Sequence, residues 1–511
     1  LILLYYSKLL KLFAQIEKGI TLSKELLKGL DDVAKLVTKS KEITDTIQKV
    51  LKVFDVFGKI ASSFGFIGSL VSLIFAFIPK SDPMFNFMKE QFSEVNRKLD
   101  SVSLQISELQ TEMEWTNYAS AYGKDENAIK NSWVKLKELM DNGPIAKTKE
   151  QKLRLAEQFT SFYTTTGTES SVANLYRYIT ESSAVSLNKN LLQLVIEKSN
   201  GDLKVLTQYS SYFTALMVSG LQMNVYYYKL KGYDAEKKAK EAGTQLSNAL
   251  LAIQDALIQC ADDFPYWAEK DAQKLGTERF SDTKQLAARI NKHLEQKFFW
   301  YDWFVIAHSN DAKNEFSYGQ SISFTVQEKT VVHLIHREKN ATPDKTIVNY
   351  VKDLSLGVCK MGQLLQIFGA HAIDHIQYLH VRKPSDYAQT RDSDVKSICG
   401  ILELKPSQVD VFLKSGEFVK NAPCSTVKCV NGQCKPLKDT TQGFCRCDSM
   451  YRGSTCEESI QNAIDYAATE AKINAIIIQP VPDLTAIFYS VKDECAYEWD
   501  WKEHKDRNYE V

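Results

Sequence analysis

Six of the ten cysteines in this 511-residue chain lie within residues 424–456, separated by gaps of four, four, ten, one and eight residues. A segment this short cannot bury enough apolar area to fold by hydrophobic packing alone, so it needs covalent cross-links. Spacing alone leaves fifteen disulfide pairings open for six cysteines. The window therefore predicts a small disulfide-rich module, and it indicates an oxidising, extracellular compartment.

This window resembles an EGF-like module, because Cys445 and Cys447 are one residue apart and Tyr451 and Gly453 precede the last cysteine. The resemblance implies the following pairs: Cys424–Cys434, Cys429–Cys445 and Cys447–Cys456. A zinc knuckle is the alternative, and the lack of histidine and of paired C-x₂-C spacing argues against it. No acidic residue stands directly before the first cysteine, so calcium binding is not expected.

Four cysteines lie outside this window: Cys260, Cys359, Cys399 and Cys495. An even remainder permits two further disulfides, and the sequence does not choose their pairing.

A second constraint is the stretch IASSFGFIGSLVSLIFAFIP at residues 60–79, which contains no charged residue. Twenty helical residues span about 30 Å, the thickness of a bilayer core. Three interpretations stay open: a segment that enters a membrane conditionally, a buried core helix, and a permanent anchor. The candidates for membrane insertion are the large apolar side chains Ile60, Phe64, Phe66, Ile67, Leu70, Val71, Leu73, Ile74, Phe75, Phe77 and Ile78. The small residues Gly65, Gly68, Ser69 and Ser72 form small-xxx-small pairs that favour close helix packing.

Most of the remaining sequence has helical periodicity. A heptad stripe runs from Phe85 to Met113. Further helices are predicted at 125–142, 147–165, 170–180, 185–199, 203–231, 234–274, 289–308, 345–382 and 392–418. A β-hairpin is predicted at 321–327 and 329–338, where β-branched residues alternate with polar ones.

These elements predict a mainly α, multi-domain protein. We expect an elongated helical bundle with an apolar helical hairpin around residues 58–79, as in α-pore-forming toxins, a small α+β region and the EGF-like module. The predicted ranges are 1–125 for the long helices around the apolar segment, 126–312 for a helical bundle, 313–420 for mixed α+β, 421–457 for the EGF-like module and 458–511 for a C-terminal helix, strand and polar tail.

Catalytic motifs are weak. His371 and His375 lie four residues apart and could share one face of a helix, with His333, His336 or His380 as a third zinc ligand. We interpret them as ordinary histidines, and we expect no enzyme activity, no cofactor and no metal. Lys plus Arg and Asp plus Glu both number 63, so nucleic acid is not an expected partner.

The run GSLVSLIFAFIPKSDPMFNFMKEQFSEVNRKLDSVSLQISELQTEMEW, residues 68–115, resembles the N-terminal region of the cephalotoxin/rapunzel-like family. The resemblance implies a secreted animal toxin of venom or mucus. Together with the apolar segment, it predicts a pore-forming protein that inserts into target cell membranes as a homo-oligomer. A cell-surface receptor or glycan is a further expected partner. The alternative is an extracellular structural or adhesion protein of mucus or matrix, in which the apolar segment is permanent core.

Overall fold

The computed structural model describes residues 113–464, except for 143–148, 182–189, 232, 311–315, 358, 383–386, 401–405, 421 and 462–463. The apolar segment 58–79, with its insertion candidates and its small residues, lies outside the described residues. The same holds for Cys495 and for nearly all of the heptad stripe.

Helices make up the described chain up to residue 297. They are α1 (Met113–Asn142), α2 (Lys149–Thr165), α3 (Thr168–Thr180), α4 (Leu191–Lys198), α5 (Leu203–Leu230), α6 (Ala235–Asp262), α7 (Phe264–Thr277) and α8 (Thr283–Lys297). Aspartates begin two of them: the Asp234 carboxylate accepts the Lys237 amide at the start of α6, and Asp282 accepts that of Gln285 in α8. The helices predicted between 125 and 231 overlap α1 to α5, whereas the single helix predicted at 234–274 is divided into α6 and α7 at Asp263.

Strands dominate the second half. They are β1 (Tyr301–Ser309), β2 (Phe316–Gly319), β3 (Ile322–Val326), β4 (Thr330–Glu338), β5 (Ile376–Arg382), β6 (Tyr387–Gln389), β7 (Val395–Cys399), β8 (Ser407–Leu413), β9 (Gly432–Pro436), β10 (Gly443–Cys447), β11 (Tyr451–Arg452) and β12 (Glu458–Ser459). Three helices accompany them, α9 (Lys345–Asp353), α10 (Met361–Ile373) and α11 (Gly416–Lys420).

Two four-stranded antiparallel sheets result. Sheet A has the order β3-β4-β1-β6, and sheet B has the order β2-β5-β8-β7. The predicted hairpin at 321–338 corresponds to β3 and β4, which pair from Ile322↔Leu334 to Val326↔Thr330.

Strands β1 and β4 of sheet A are buried on both faces. Alternate residues Trp303, Val305 and Ala307 of β1 belong to the main core, which they share with the helices. The intervening residues Phe304 and Ile306 pack with Tyr378 and Phe412 of sheet B. This alternation follows from the two-residue period of a strand, so one strand joins the helical part to sheet B.

Sheet B has its own core on its other face, formed with α9 and α10. A disulfide between Cys359 and Cys399 ties the chain before α10 to the end of β7. Cys260, in α6, is a free and buried thiol, and its Sγ donates to the Gly201 carbonyl oxygen at 3.3 Å. Burial raises the pKa of this thiol to about 12.

The predicted fold class is wrong. Within the described residues, helices are joined to four sheets, and none of their helices is long and apolar enough to cross a membrane. The structure is therefore not the elongated helical bundle of an α-pore-forming toxin.

The helix predicted at 289–308 ends at Lys297, and Tyr301–Ser309 is a strand. A strand buried on both faces reads as a continuous apolar run, which periodicity cannot tell from a buried helix.

The helices predicted at 345–382 and 392–418 are correct only in part. α9 and α10 lie in the first range and the short α11 lies in the second, but β5, β6, β7 and β8 occupy much of the rest of this region. Their β-branched residues, such as Val381, Val395 and Val411, pack in the second core, whereas Tyr378 and Phe412 pack against sheet A. This tertiary packing favours the strand conformation.

Candidate functional site

The EGF-like module is packed firmly onto the rest of the protein. Leu437 and Phe444 of the module belong to the main core and are 1% and 2% exposed. The structure joins its cysteines as Cys424–Cys434, Cys429–Cys445 and Cys447–Cys456, the pairing that the EGF-like resemblance implies. The module is therefore part of one continuous core with the helices and sheet A.

Polar contacts position the loop between β9 and β10 against β4. The Glu338 carboxylate accepts the Thr441 amide at 2.7 Å, the Thr441 hydroxyl at 3.0 Å and the Gln442 side-chain amide at 3.0 Å. The Tyr301 hydroxyl donates to the Lys438 carbonyl oxygen at 2.5 Å. These bonds use both carboxylate oxygens of Glu338, so the strand end and the loop are held as a unit.

A buried histidine completes this contact. His336 Nε2 lies 2.9 Å from Asp439 Oδ2, and the His336 ring packs edge-on against Phe264 and Tyr301. Burial acts to raise the pKa of Asp439, but the hydrogen bond and charge of His336, with the neighbouring lysines, hold this pKa below its usual value. The pair is a hydrogen-bonded histidine–carboxylate contact between β4 and the EGF-like module.

A different cluster lies between the two sheets. His308 of β1, His333 of β4 and His380 of β5 are buried, and each offers a ring nitrogen within 4.8 Å of the nitrogens offered by the other two. The Nε2 atoms of His308 and His333 are 3.1 Å apart. The exposed fractions of His308, His333 and His380 are 7%, 7% and 1%, so all three side chains are shielded from solvent.

Hydrogen bonds orient two of these rings. His308 Nδ1 lies 3.0 Å from the Ser309 carbonyl oxygen, which can only accept, so this nitrogen carries a proton. In the neutral ring His308 Nε2 then presents a lone pair. His333 Nδ1 lies 2.7 Å from the hydroxyl of Ser323, which can donate or accept. The two rings thus direct Nε2 into the space between the sheets.

The nearest buried carboxylate is already engaged. Asp410 stands opposite His380 in the register of β5 and β8 and is 0% exposed. Its oxygens accept from Arg382 Nε and from the Ser393 hydroxyl, both at 2.8 Å. The cluster is therefore a group of three imidazoles, and imidazole nitrogen is a common ligand of zinc and copper.

The histidines named from the HAIDH motif lie elsewhere. His371 is exposed on α10, where its ring contacts Tyr350, and His375 is in the turn before β5. Partial burial lowers the pKa of His375. Neither residue belongs to the three-histidine cluster. His308 was not singled out from the sequence, because no local motif links positions 308, 333 and 380. The one available signal was a histidine inside each of three apolar, β-branched runs.

Comparisons with known proteins find similarity that includes the helical part. Residues 79–281 match the cephalotoxin-like middle helical domain. SE-cephalotoxin of Acanthosepion esculentum is 24% identical over 397 residues, covering 73% of this chain and 36% of that protein. Protein rapunzel of Danio rerio is 22% identical over 218 residues, covering 41% of this chain and 92% of that protein. No solved structure matches the chain.

The resemblance to the cephalotoxin/rapunzel-like family is thereby confirmed. The chain spans only about a third of the length of SE-cephalotoxin, 36%. The similarity and the four disulfides fit a toxin-like or secreted protein.

Proposed function

Since residues 79–281 match the cephalotoxin-like middle helical domain, we propose that this protein is a secreted toxin that acts on the membranes of target cells. The observation that carries the proposal is the match to SE-cephalotoxin, which extends over 73% of this chain. Eight cysteines paired in four disulfides support an extracellular site of action.

The proposed mechanism is pore formation by an oligomer. The uncharged segment 60–79 enters the bilayer, and the parts around sheet A stay in water. Transfer of about twenty mostly apolar residues into lipid supplies the driving force, at about 25 cal/mol per Å² of apolar surface. A cell-surface receptor or glycan bound by the EGF-like side of the protein concentrates it at its target.

Dye leakage from liposomes and lysis of red cells test this mechanism. The wild type is compared with Gly68→Asp and Ser72→Lys, because a charge at the bilayer centre is costly. The matched control is Gln273→Lys, which adds the same charge as Ser72→Lys on the exposed side of α7. Circular dichroism first shows that each variant is folded.

We expect leakage by the wild type and by Gln273→Lys, and its loss in folded Gly68→Asp and Ser72→Lys. Leakage that persists in both charged variants would contradict insertion of this segment. If neither the wild type nor any variant causes leakage or lysis, pore formation itself is contradicted.

A second candidate is an extracellular structural or adhesion protein of mucus or matrix. It is favoured by the docking of the EGF-like module, which shares the main core and so makes a rigid surface. This candidate predicts binding to cells or mucus without leakage. A plate-binding assay beside the leakage assay separates the two functions.

A further inference from the structure

The three-histidine cluster between the sheets has the composition and spacing of a metal site. In a tetrahedral zinc site each nitrogen is about 2.0–2.1 Å from the ion, so two nitrogen ligands lie roughly 3.3 Å apart. His308 Nε2 and His333 Nε2 are 3.1 Å apart, close to that spacing. The nitrogen offered by His380 lies within 4.8 Å of both, so a ring shift of roughly 1.5 Å or less completes the set.

The contacts behind the rings match those of metal-bound histidines. Such histidines usually bond their second nitrogen to a carbonyl, a carboxylate or water, and this fixes the tautomer and the ring plane. His308 Nδ1 donates to the Ser309 carbonyl, and His333 Nδ1 contacts Ser323 Oγ at 2.7 Å. Ser323 is exposed, and its hydroxyl is 2.8 Å from that of Ser321, so a route to solvent exists beside the cluster.

Without an ion, the same groups form a proton-linked chain. Ser323 donates to His333 Nδ1, His333 Nε2–H donates to His308 Nε2, and His308 Nδ1–H donates to the Ser309 carbonyl. When a cation binds, His333 changes tautomer: Nε2 loses its proton to water and Nδ1 takes up a proton from water, so that Nδ1–H donates to Ser323 and no net proton is released. The ligands therefore need only move a proton and adjust one ring.

We propose that His308, His333 and His380 bind one Zn²⁺ ion, with water as the fourth ligand, and that the ion joins sheet A to sheet B. His308 and His333 belong to sheet A and His380 belongs to sheet B, so the ion cross-links elements far apart in sequence. This inference does not depend on the proposed toxin function.

The test uses the full chain, freed of metal with a chelator and titrated with Zn²⁺. Bound metal is counted by mass spectrometry after dialysis, and Co²⁺ absorption reports tetrahedral nitrogen coordination. We expect one ion per chain. His333→Gln and His380→Gln should weaken binding by about 100-fold or more, and Ser323→Ala should weaken it by about 10- to 100-fold through loss of the supporting hydrogen bond.

His371→Gln is the matched control, since it removes a histidine of the HAIDH motif outside the cluster. It should bind Zn²⁺ like the wild type. Ser323 is exposed and is not itself a ligand, so Ser323→Ala keeps the test decisive if a histidine variant fails to fold. Failure of the folded wild type to bind Zn²⁺, or binding by Ser323→Ala and His380→Gln that is as tight as that of the wild type, would overturn the proposal and leave the proton-linked chain as the role of the cluster.

Discussion

Strand β4 buries a histidine on each face of sheet A, and the two have different surroundings. His336 faces the helices and the EGF-like module, where Asp439 accepts its hydrogen bond at 2.9 Å. His333 faces sheet B, where its near neighbours are two more imidazoles. His336 already has a carboxylate as its partner, whereas three neighbouring imidazole nitrogens form a set of ligands suited to a cation.

The two faces also differ in the size of the core behind them. The face with His336 belongs to the main core, which extends from α1 to the EGF-like module and Ile464. The face with His333 meets sheet B through a small cluster that includes Phe304, Ile306 and Phe412. Sheet B therefore depends more on polar links across this interface, among them Arg337 with Asp394 at 3.0 Å. An ion bound between the two sheets would therefore add to stability on the face with the smaller core.

The largest expected effect is on the face with the larger core. Trp303 is 0% exposed, and its indole N–H donates to the Phe298 carbonyl. We expect Trp303→Ala to lower the free energy of unfolding by about 3–5 kcal/mol because it leaves a cavity in the main core. Ile306→Ala, on the opposite face of the same strand, should cost about 2–3 kcal/mol. Urea denaturation of both compares the faces, and a larger loss for Ile306→Ala would reverse our ranking.

Glu338→Ala tests the polar attachment of the EGF-like module. The change leaves the Thr441 amide without its acceptor, and we expect a loss of about 1.5–3 kcal/mol in the free energy of unfolding, the range for hydrogen bonds to a charged group. Hydrogen exchange at the Thr441 amide should accelerate. The exposed Glu417→Ala is the control, with expected changes under about 0.5 kcal/mol. Unchanged exchange at Thr441 would show that the apolar residues of the loop hold it without Glu338.

The His336–Asp439 pair predicts how the first face responds to acid. The pKa of Asp439 is lowered in the folded state, so its contribution to stability is present above the unfolded pKa of about 3.9 and is lost as pH falls through the folded value. We expect Asp439→Asn to flatten the decline in unfolding free energy between about pH 5 and pH 2. Asp374→Asn, on an exposed residue, is the control. Parallel curves for wild type and Asp439→Asn would refute the prediction.

The smallest expected effect concerns the outer edge of the same attachment. Arg446 makes two bonds to the Asp255 carboxylate, at 2.6 and 2.7 Å, and both side chains are about a third to a half exposed. We expect Arg446→Ala to cost about 0.2–1 kcal/mol, because water screens the pair. A double-mutant cycle with Asp255→Ala measures the coupling, and a value above about 2 kcal/mol would show that the edge is as important as Glu338.

The two faces also differ in what could be predicted from the sequence. The EGF-like module follows from cysteine spacing, since a covalent framework is local and leaves a pattern within residues 424–456. The strand Tyr301–Ser309 was predicted as helix, because burial on both faces removes the alternation that identifies a strand. The end of α8 at Lys297 had no proline or glycine to mark it.

The histidine cluster could not be derived from one sequence without an alignment. Its members come from β1, β4 and β5, and the packing of sheet B against sheet A places His380 beside the other two. That packing joins segments separated by turns and helices whose lengths do not reveal it. The HAIDH motif is compact and easy to notice, but the structure places His371 on an exposed surface.

The free thiol of Cys260 gives the protein an internal reporter of its own opening. It is 1% exposed, and burial raises its pKa to about 12, so a thiol reagent reaches it only when α6 separates from its neighbours. Its labelling rate therefore measures how often the main core opens. Peptide mapping distinguishes this label from one at Cys495. A membrane-inserting protein must open part of its structure, and Cys260 would reveal whether that opening reaches α6 or stops before it.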